Sequence, residues 1–213
     1  AGAISFEDGL ELVTLRGRAM QDAAEATPSG MVALIGADEA QARDVCAAAL
    51  EGHAGEVLVP ANFNAPGQIV ISGSKAACER GAKVAGEKGL RATPLPVAGA
   101  FHSPIMAPAA ERLGAALART PIRTPRCPVV SNVTARPHEG QGGADSIRQR
   151  LVEQLTSPVR WAESCVWLGQ NLGTLGGGTP AELHELAPGK ALAGLMRRID
   201  KGLKVFSHDT PQD

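Results

Sequence analysis

Two hydrophobic periods alternate along the chain. From Phe6 to Ala24 the apolar residues Leu10, Leu12, Val13 and Met20 fall at helical intervals, Glu7 and Asp8 occupy the first turn, and Ser5 stands where an N-cap belongs, so the pattern predicts a helix. Thr27-Pro28-Ser29-Gly30 ends it. Short apolar runs bounded by turn residues, Met31–Gly36, Glu56–Val59, Gln68–Gly73 and Leu90–Val97, predict strands, with helical spacing over Asp38–Leu50 and Lys75–Lys88 between them. The resulting order, β-α-β-β-α-β over residues 30–97, is that of a split βαβ, ferredoxin-like unit.

Beyond Phe101-His102-Ser103-Pro104 the pattern turns mostly helical: an Ala-rich stretch Met106–Arg119, an amphipathic one Ile147–Leu155, a third over Trp161–Leu168, and Lys190–Ile199 with Leu192, Leu195, Met196 and Ile199 on one face. Cys127–Asn132 predicts a buried strand among them. Gly169–Thr179 is glycine-rich but lacks the order G-x-x-x-x-G-K-[ST] of a phosphate cradle, so it predicts a flexible loop. The expectation is an α/β chain in which residues 1–29 and 98–205 belong to one large subdomain, 30–97 form a smaller one, and 206–213 are a tail.

Composition narrows the function. With 213 residues, 44% of them hydrophobic and 20% charged, the chain has enough apolar material for a core. Lys and Arg number 21 against 22 Asp and Glu, so a net charge of −1 provides no global field for nucleic acid or an anionic membrane, and neither is expected as a partner. No apolar run approaches the roughly 18 residues of a membrane span. Cys46, Cys78, Cys127 and Cys165 form no C-x-x-C pair and have no His at ligand spacing, which predicts reduced thiols and no metal or cofactor site.

Some polar residues stand where the pattern is apolar. Arg16 has Leu12 and Val13 before it and Met20 after it on one helix face, so its guanidinium needs an anion, either an internal carboxylate or a ligand, unless it snorkels to the edge. His102, after a predicted strand and before a predicted helix, is a candidate general base, or else a packed or capping histidine. Asn62-Phe63-Asn64-Ala65-Pro66-Gly67-Gln68 reads as a tight connection between strands or as a polar wall of a cleft. Leu186-Ala187-Pro188-Gly189-Lys190 reads as strand end, turn and helix start.

Several of these segments occur together, in the same order, in one family. Leu15-Arg16-Gly17 with Met20-Gln21, Asn62–Gln68 followed by Val70-Ile71-Ser72-Gly73, Ala100-Phe101-His102-Ser103, Pro128–Val133, Gln154-Leu155 with Pro158-Val159-Arg160-Trp161, and Pro188-Gly189-Lys190 resemble the malonyl-CoA:acyl carrier protein transacylases nearly end to end. The resemblance implies part of a hydrolase-like acyltransferase domain, with malonyl-CoA and acyl carrier protein as partners and a ping-pong Ser–His mechanism. It implies that Arg16 pairs with the malonyl carboxylate, that His102 is the base, and that the Gln154 backbone carbonyl orients it in place of an acid. It also implies a substrate pocket holding Met20, Phe101, Asn62 and Asn64, in which Phe101 crowds an α-methyl group and disfavours methylmalonyl.

The family's nucleophile sits in a G-x-S-x-G elbow, and no such pattern occurs in these 213 residues. The expectation is therefore a piece of the enzyme, about its C-terminal two-thirds, inactive by itself and poorly soluble; the alternative is a non-catalytic module that binds acyl carrier protein. Ala187 stands where the family has Gly, and Trp167–Leu183 is longer and richer in glycine than usual. Gly9–Glu25 resembles plastid versions, so the expected compartment is bacterial cytoplasm or plastid stroma.

Overall fold

The first periodic stretch folds as helix α1, Phe6–Ala26, and the Ser5 side chain accepts from the Asp8 amide at its start. In the computed structural model, which describes residues 1–138, 143–175, 181–186 and 188–209, a four-stranded antiparallel sheet follows. Its strands are β1 (Ser29–Ile35), β2 (Leu58–Ala65), β3 (Gln68–Ser74) and β4 (Arg91–Pro94), in the order β2-β3-β1-β4. Helices α2 (Glu39–Leu50) and α3 (Lys75–Glu87) are the crossovers, and α2 begins in a capping box between Asp38 and Gln41. This is the split βαβ arrangement that the alternation of periods predicts.

The sheet buries both faces. Val32, Leu34, Ile69 and Ile71 pack against Val45, Cys46 and Ala77 of α2 and α3, while Met31, Ala61 and Val70 point the other way and meet Phe101. Gly73 is required by the close approach of β2: a Cβ there would lie 2.0 Å from the Val57 carbonyl oxygen. A second core joins α1 to a short 3-10 turn, Pro104–Met106, and to α4, Ala107–Leu117, through Leu12, Ala19, Ala23, Met106, Ala109, Leu113 and Leu117. Then come α5 (Gly143–Glu153), α6 (Trp161–Leu175), β5 (Leu183–Glu185), α7 (Ala191–Ile199) and β6 (Val205–Ser207), with β5 and β6 paired in parallel.

Several boundaries differ from the expectation. The second strand starts at Leu58 rather than Glu56 and continues to Ala65, so Asn62, Phe63 and Asn64 lie in the sheet and the hairpin connection shrinks to Pro66-Gly67, with Gly67 at φ +70°. Bulges between Pro60 and Asn62 and between Phe63 and Ala65 absorb these turn-favouring residues. The outer edge of β2 is also covered, since Val159 donates to Ala61 and accepts from Phe63. The fourth strand is shorter than Leu90–Val97, and the helices expected over Met106–Arg119 and Ile147–Leu155 shift by a few residues at their ends.

Cys127–Asn132 is not a strand. Cys127 and Val129 are exposed, the segment has a single bridge, Val130 to Pro137, and among the described residues no strand lies beside it to complete a ladder. Conversely, the glycine-rich loop expected from Gly169 is helical as far as Leu175, and its remainder, 176–179, lies outside the described residues. Packing overrides propensity there: a Cβ on Gly169 would lie 2.7 Å from Leu203, so glycine lets α6 seat against that side chain. The segment expected as a tail from 206 begins inside β6, and residues 210–213 lie outside the described residues, as does Ala187.

Candidate active site

The chain leaves β4 at Pro94 and crosses from one core to the other through residues 95–103. Gly99 makes the crossing possible, because a Cβ there would lie 2.5 Å from that of Ala24. The loop's polar groups are held by hydroxyls: the Ala100 amide donates to Ser29 Oγ at 3.1 Å, Ser72 Oγ donates to the Phe101 carbonyl at 2.7 Å, and Ser103 Oγ donates to the Ala100 carbonyl at 2.7 Å. His102, the residue at the centre, has φ +57°, a left-handed conformation uncommon for a residue with a Cβ.

That conformation directs the His102 ring to the end of α5. The helix stops at Glu153, the amides of Gln154, Leu155, Thr156 and Ser157 take up carbonyls of its last turn, and the carbonyl oxygen of Gln154, the residue just after it, lies 2.7 Å from His102 Nδ1. A carbonyl only accepts, so Nδ1 carries the proton and donates, leaving Nε2 with a free lone pair in the neutral ring. Burial lowers the His102 pKa below the ordinary imidazole value, the Arg16 cation lowers it further, and the backbone contacts to Gln154 and Ser157 oppose both. The balance keeps His102 neutral at pH 7, able to take a proton.

Arg16 projects from α1 and is half-buried. Among the described residues it has no hydrogen bond and no acidic partner, which removes the internal salt bridge as its explanation. Burial also lowers its pKa, yet a guanidinium stays protonated in proteins. It borders a cavity of about 140 Å³ formed with Ile4, Gly9, Leu12, Val13, Leu113, Leu117, Leu151 and Gln154. Gln154 thus touches both candidates, with its carbonyl on His102 and its body on the Arg16 cavity. An unpaired cation in apolar walls attracts a carboxylate strongly.

Phe101 bridges the two cores beside this site, and Met20 packs half-buried in the core of α1 and α4. Asn62 and Asn64 are half-buried on β2, where among the described residues their amide groups have no hydrogen-bond partner. Among the described residues no hydrogen bond ties them to His102 or Arg16. Sequence reasoning missed the hydroxyls that secure the loop, above all Ser72, which is fully buried. The signal available was a serine directly after Val70-Ile71 in an otherwise apolar strand.

The site therefore sets an imidazole lone pair, on a residue of left-handed backbone, near an unpaired cation. The chain belongs to the acyl transferase family: a family profile described as acyl transferase domain matches residues 1–169. Its relatives are more particular. The chain is 41% identical over 214 residues to the malonyl CoA-acyl carrier protein transacylase of Escherichia coli K12, covering 99% of this chain and 64% of that protein. The solved malonyl-CoA:acyl carrier protein transacylase of Xanthomonas oryzae superposes with a TM-score of 0.86 at 43% identity, over 100% of this chain and 64% of that one. A malonyl-transacylase solved in complex with its type II polyketide acyl carrier protein gives 0.87 at 34% identity, over 100% and 65%. The chain therefore spans somewhat less than two-thirds of the length of these relatives.

Proposed function

We propose that this chain contributes the base and the carboxylate site of an enzyme that transfers malonyl from malonyl-CoA to the phosphopantetheine thiol of acyl carrier protein. The observation that carries the reading is the pairing of a neutral, carbonyl-held His102 with an unpartnered Arg16 across Gln154. The nucleophile is a serine in a G-x-S-x-G elbow; the 213 residues contain no such pattern, so the reading assigns it to residues outside them, and the chain alone is inactive.

In the first half-reaction the serine Oγ attacks the malonyl thioester while His102 Nε2 takes its proton. The C–S bond breaks, and CoA leaves as the thiol with that proton. In the second, the pantetheine thiol gives its proton to Nε2 and attacks the acyl-serine, and the serine oxygen departs with the proton returned. Arg16 holds the remote carboxylate through both steps, which selects malonyl over acetyl. Phe101, Met20, Asn62 and Asn64 are assigned to the pocket walls, and Phe101 to the exclusion of an α-methyl group. The compartment proposed is one that holds malonyl-CoA, a bacterial cytoplasm or a plastid stroma.

Intact mass after incubation with malonyl-CoA tests this. The chain alone stays unmodified, whereas a polypeptide joining it to a G-x-S-x-G segment of the family gains one malonyl group and passes it to acyl carrier protein. An adduct on the chain alone would overturn the assignment of the nucleophile. Carrier binding without any transfer by the longer polypeptide would favour a binding module instead.

A further inference from the structure

We propose that Ser72 is a positioning residue for His102: from the sheet of the small subdomain its hydroxyl fixes the Phe101–His102 peptide, and so holds His102 in the conformation that lets its ring reach Gln154. The proposal rests on the reading of His102 as the base. Ser72 lies on β3, an inner strand, with Met31 of β1 on one side and Val59 of β2 on the other, and it is 0% exposed. Its side chain shares the face of Val70, the one that meets Phe101, while Ile69 and Ile71 face the helices. A hydroxyl buried there must find a partner, and it finds the Phe101 carbonyl at 2.7 Å across 29 residues of sequence.

That carbonyl belongs to the peptide plane that also contains the His102 nitrogen. The φ angle of His102 is measured from this plane, so a donor that holds the carbonyl holds the reference for the rotation. The +57° value is sparsely populated for a residue with a Cβ and persists when its surroundings over-determine it. Two restraints act from opposite sides: Ser72, on the sheet, fixes the peptide before His102, and Gln154, after α5, fixes the ring. Ser29 adds a third by accepting from the Ala100 amide. The base is thus set by both subdomains, and Ser72 is the link that joins the small one to its backbone.

The test uses the polypeptide joining this chain to a G-x-S-x-G segment and NMR titration of the His102 ring, with amide hydrogen exchange over residues 99–103. In Ser72→Ala the His102 midpoint moves up toward the ordinary imidazole value, because a freed loop exposes the ring and moves it from Arg16. Exchange of the loop amides speeds up by about tenfold, as expected for a buried hydrogen bond lost. Ser72→Cys, which keeps a weak donor, falls between. Val45→Ala, which opens the core on the helix side of the same sheet, controls for general loosening and leaves the His102 midpoint in place. The proposal is overturned if Ser72→Ala leaves midpoint and exchange unchanged, or if Val45→Ala shifts the midpoint equally. The reading of His102 as base fails separately, if the longer polypeptide transfers malonyl at full rate with His102→Ala.

Discussion

At the scale of single residues, electrostatics divides the work. His102→Ala in the elbow-containing polypeptide is expected to lower kcat by roughly 10²–10⁴, the usual contribution of a positioned base. Arg16→Ala is expected to lower kcat/KM for malonyl transfer about 30- to 5000-fold, the equivalent of roughly 2–5 kcal/mol for an uncompensated charge, and to narrow the preference over acetyl-CoA. Because the Arg16 cation lowers the His102 pKa, Arg16→Met raises the His102 titration midpoint, an NMR measurement needing no turnover. The sign also governs stability: a histidine held neutral when folded binds protons more readily unfolded, so stability falls as pH drops below about 6.5. Thiols follow the same logic. Burial pushes Cys46 up to about 12 and Cys78 and Cys165 to about 11, whereas Cys127 is exposed. A thiol reagent should therefore modify Cys127 in the native protein and the others only after unfolding.

At the scale of elements, terminal groups decide more than interior ones. The 3%-exposed Glu185 carboxylate on β5 accepts from the Leu192 and Ala193 amides and from Ser207, closing the start of α7 with a side chain from outside the helix. These bonds hold its pKa below the usual carboxylate value. The contribution is therefore complete above the ordinary Glu value of about 4.3 and is lost as pH falls through the lowered one. Glu185→Ala should fray α7, seen as faster exchange of the Leu192 and Ala193 amides. Gly73→Ala is more severe: its Cβ would strike the Val57 backbone, so the variant should lose the cooperative thermal transition. The helices α1 and α2 were legible because each carries its own N-cap and periodicity. The cap of α7 was not, since its partner lies on another strand.

At the scale of the whole molecule, α1 presents an unusual surface. Phe6, Leu10 and Val13 are 79%, 55% and 61% exposed and recur at helical spacing, so they form one apolar stripe. The chain in isolation should self-associate through it, with light scattering rising with concentration. Phe6→Lys together with Leu10→Lys should suppress that scattering while leaving the helical circular dichroism in place. A chain that stays monomeric at high concentration without these changes would contradict the expectation.

The sequence by itself determined the alternation of short apolar runs with helical spacing over 30–97, and with it the split βαβ order, because runs cut short by turn residues and longer stretches of 3.6-residue spacing are distinct local signals. It also singled out Arg16 and His102, a charge on an apolar helix face and an imidazole in a loop. Tertiary structure decided the rest. Asn62–Ala65 became strand by pairing with Gln68–Val70 of β3, with Val159 bonded along its other edge, and Gly169–Leu175 continued α6, seated against Leu203 at Gly169. Cys127–Asn132 failed to become one because no neighbouring strand completes its ladder among the described residues. The placement of Gln154 on His102 and of Ser72 behind Phe101 depends on groups 52 and 29 residues apart. Local pattern specifies what each segment wants to bury; only the folded chain determines which distant carbonyl or hydroxyl it meets.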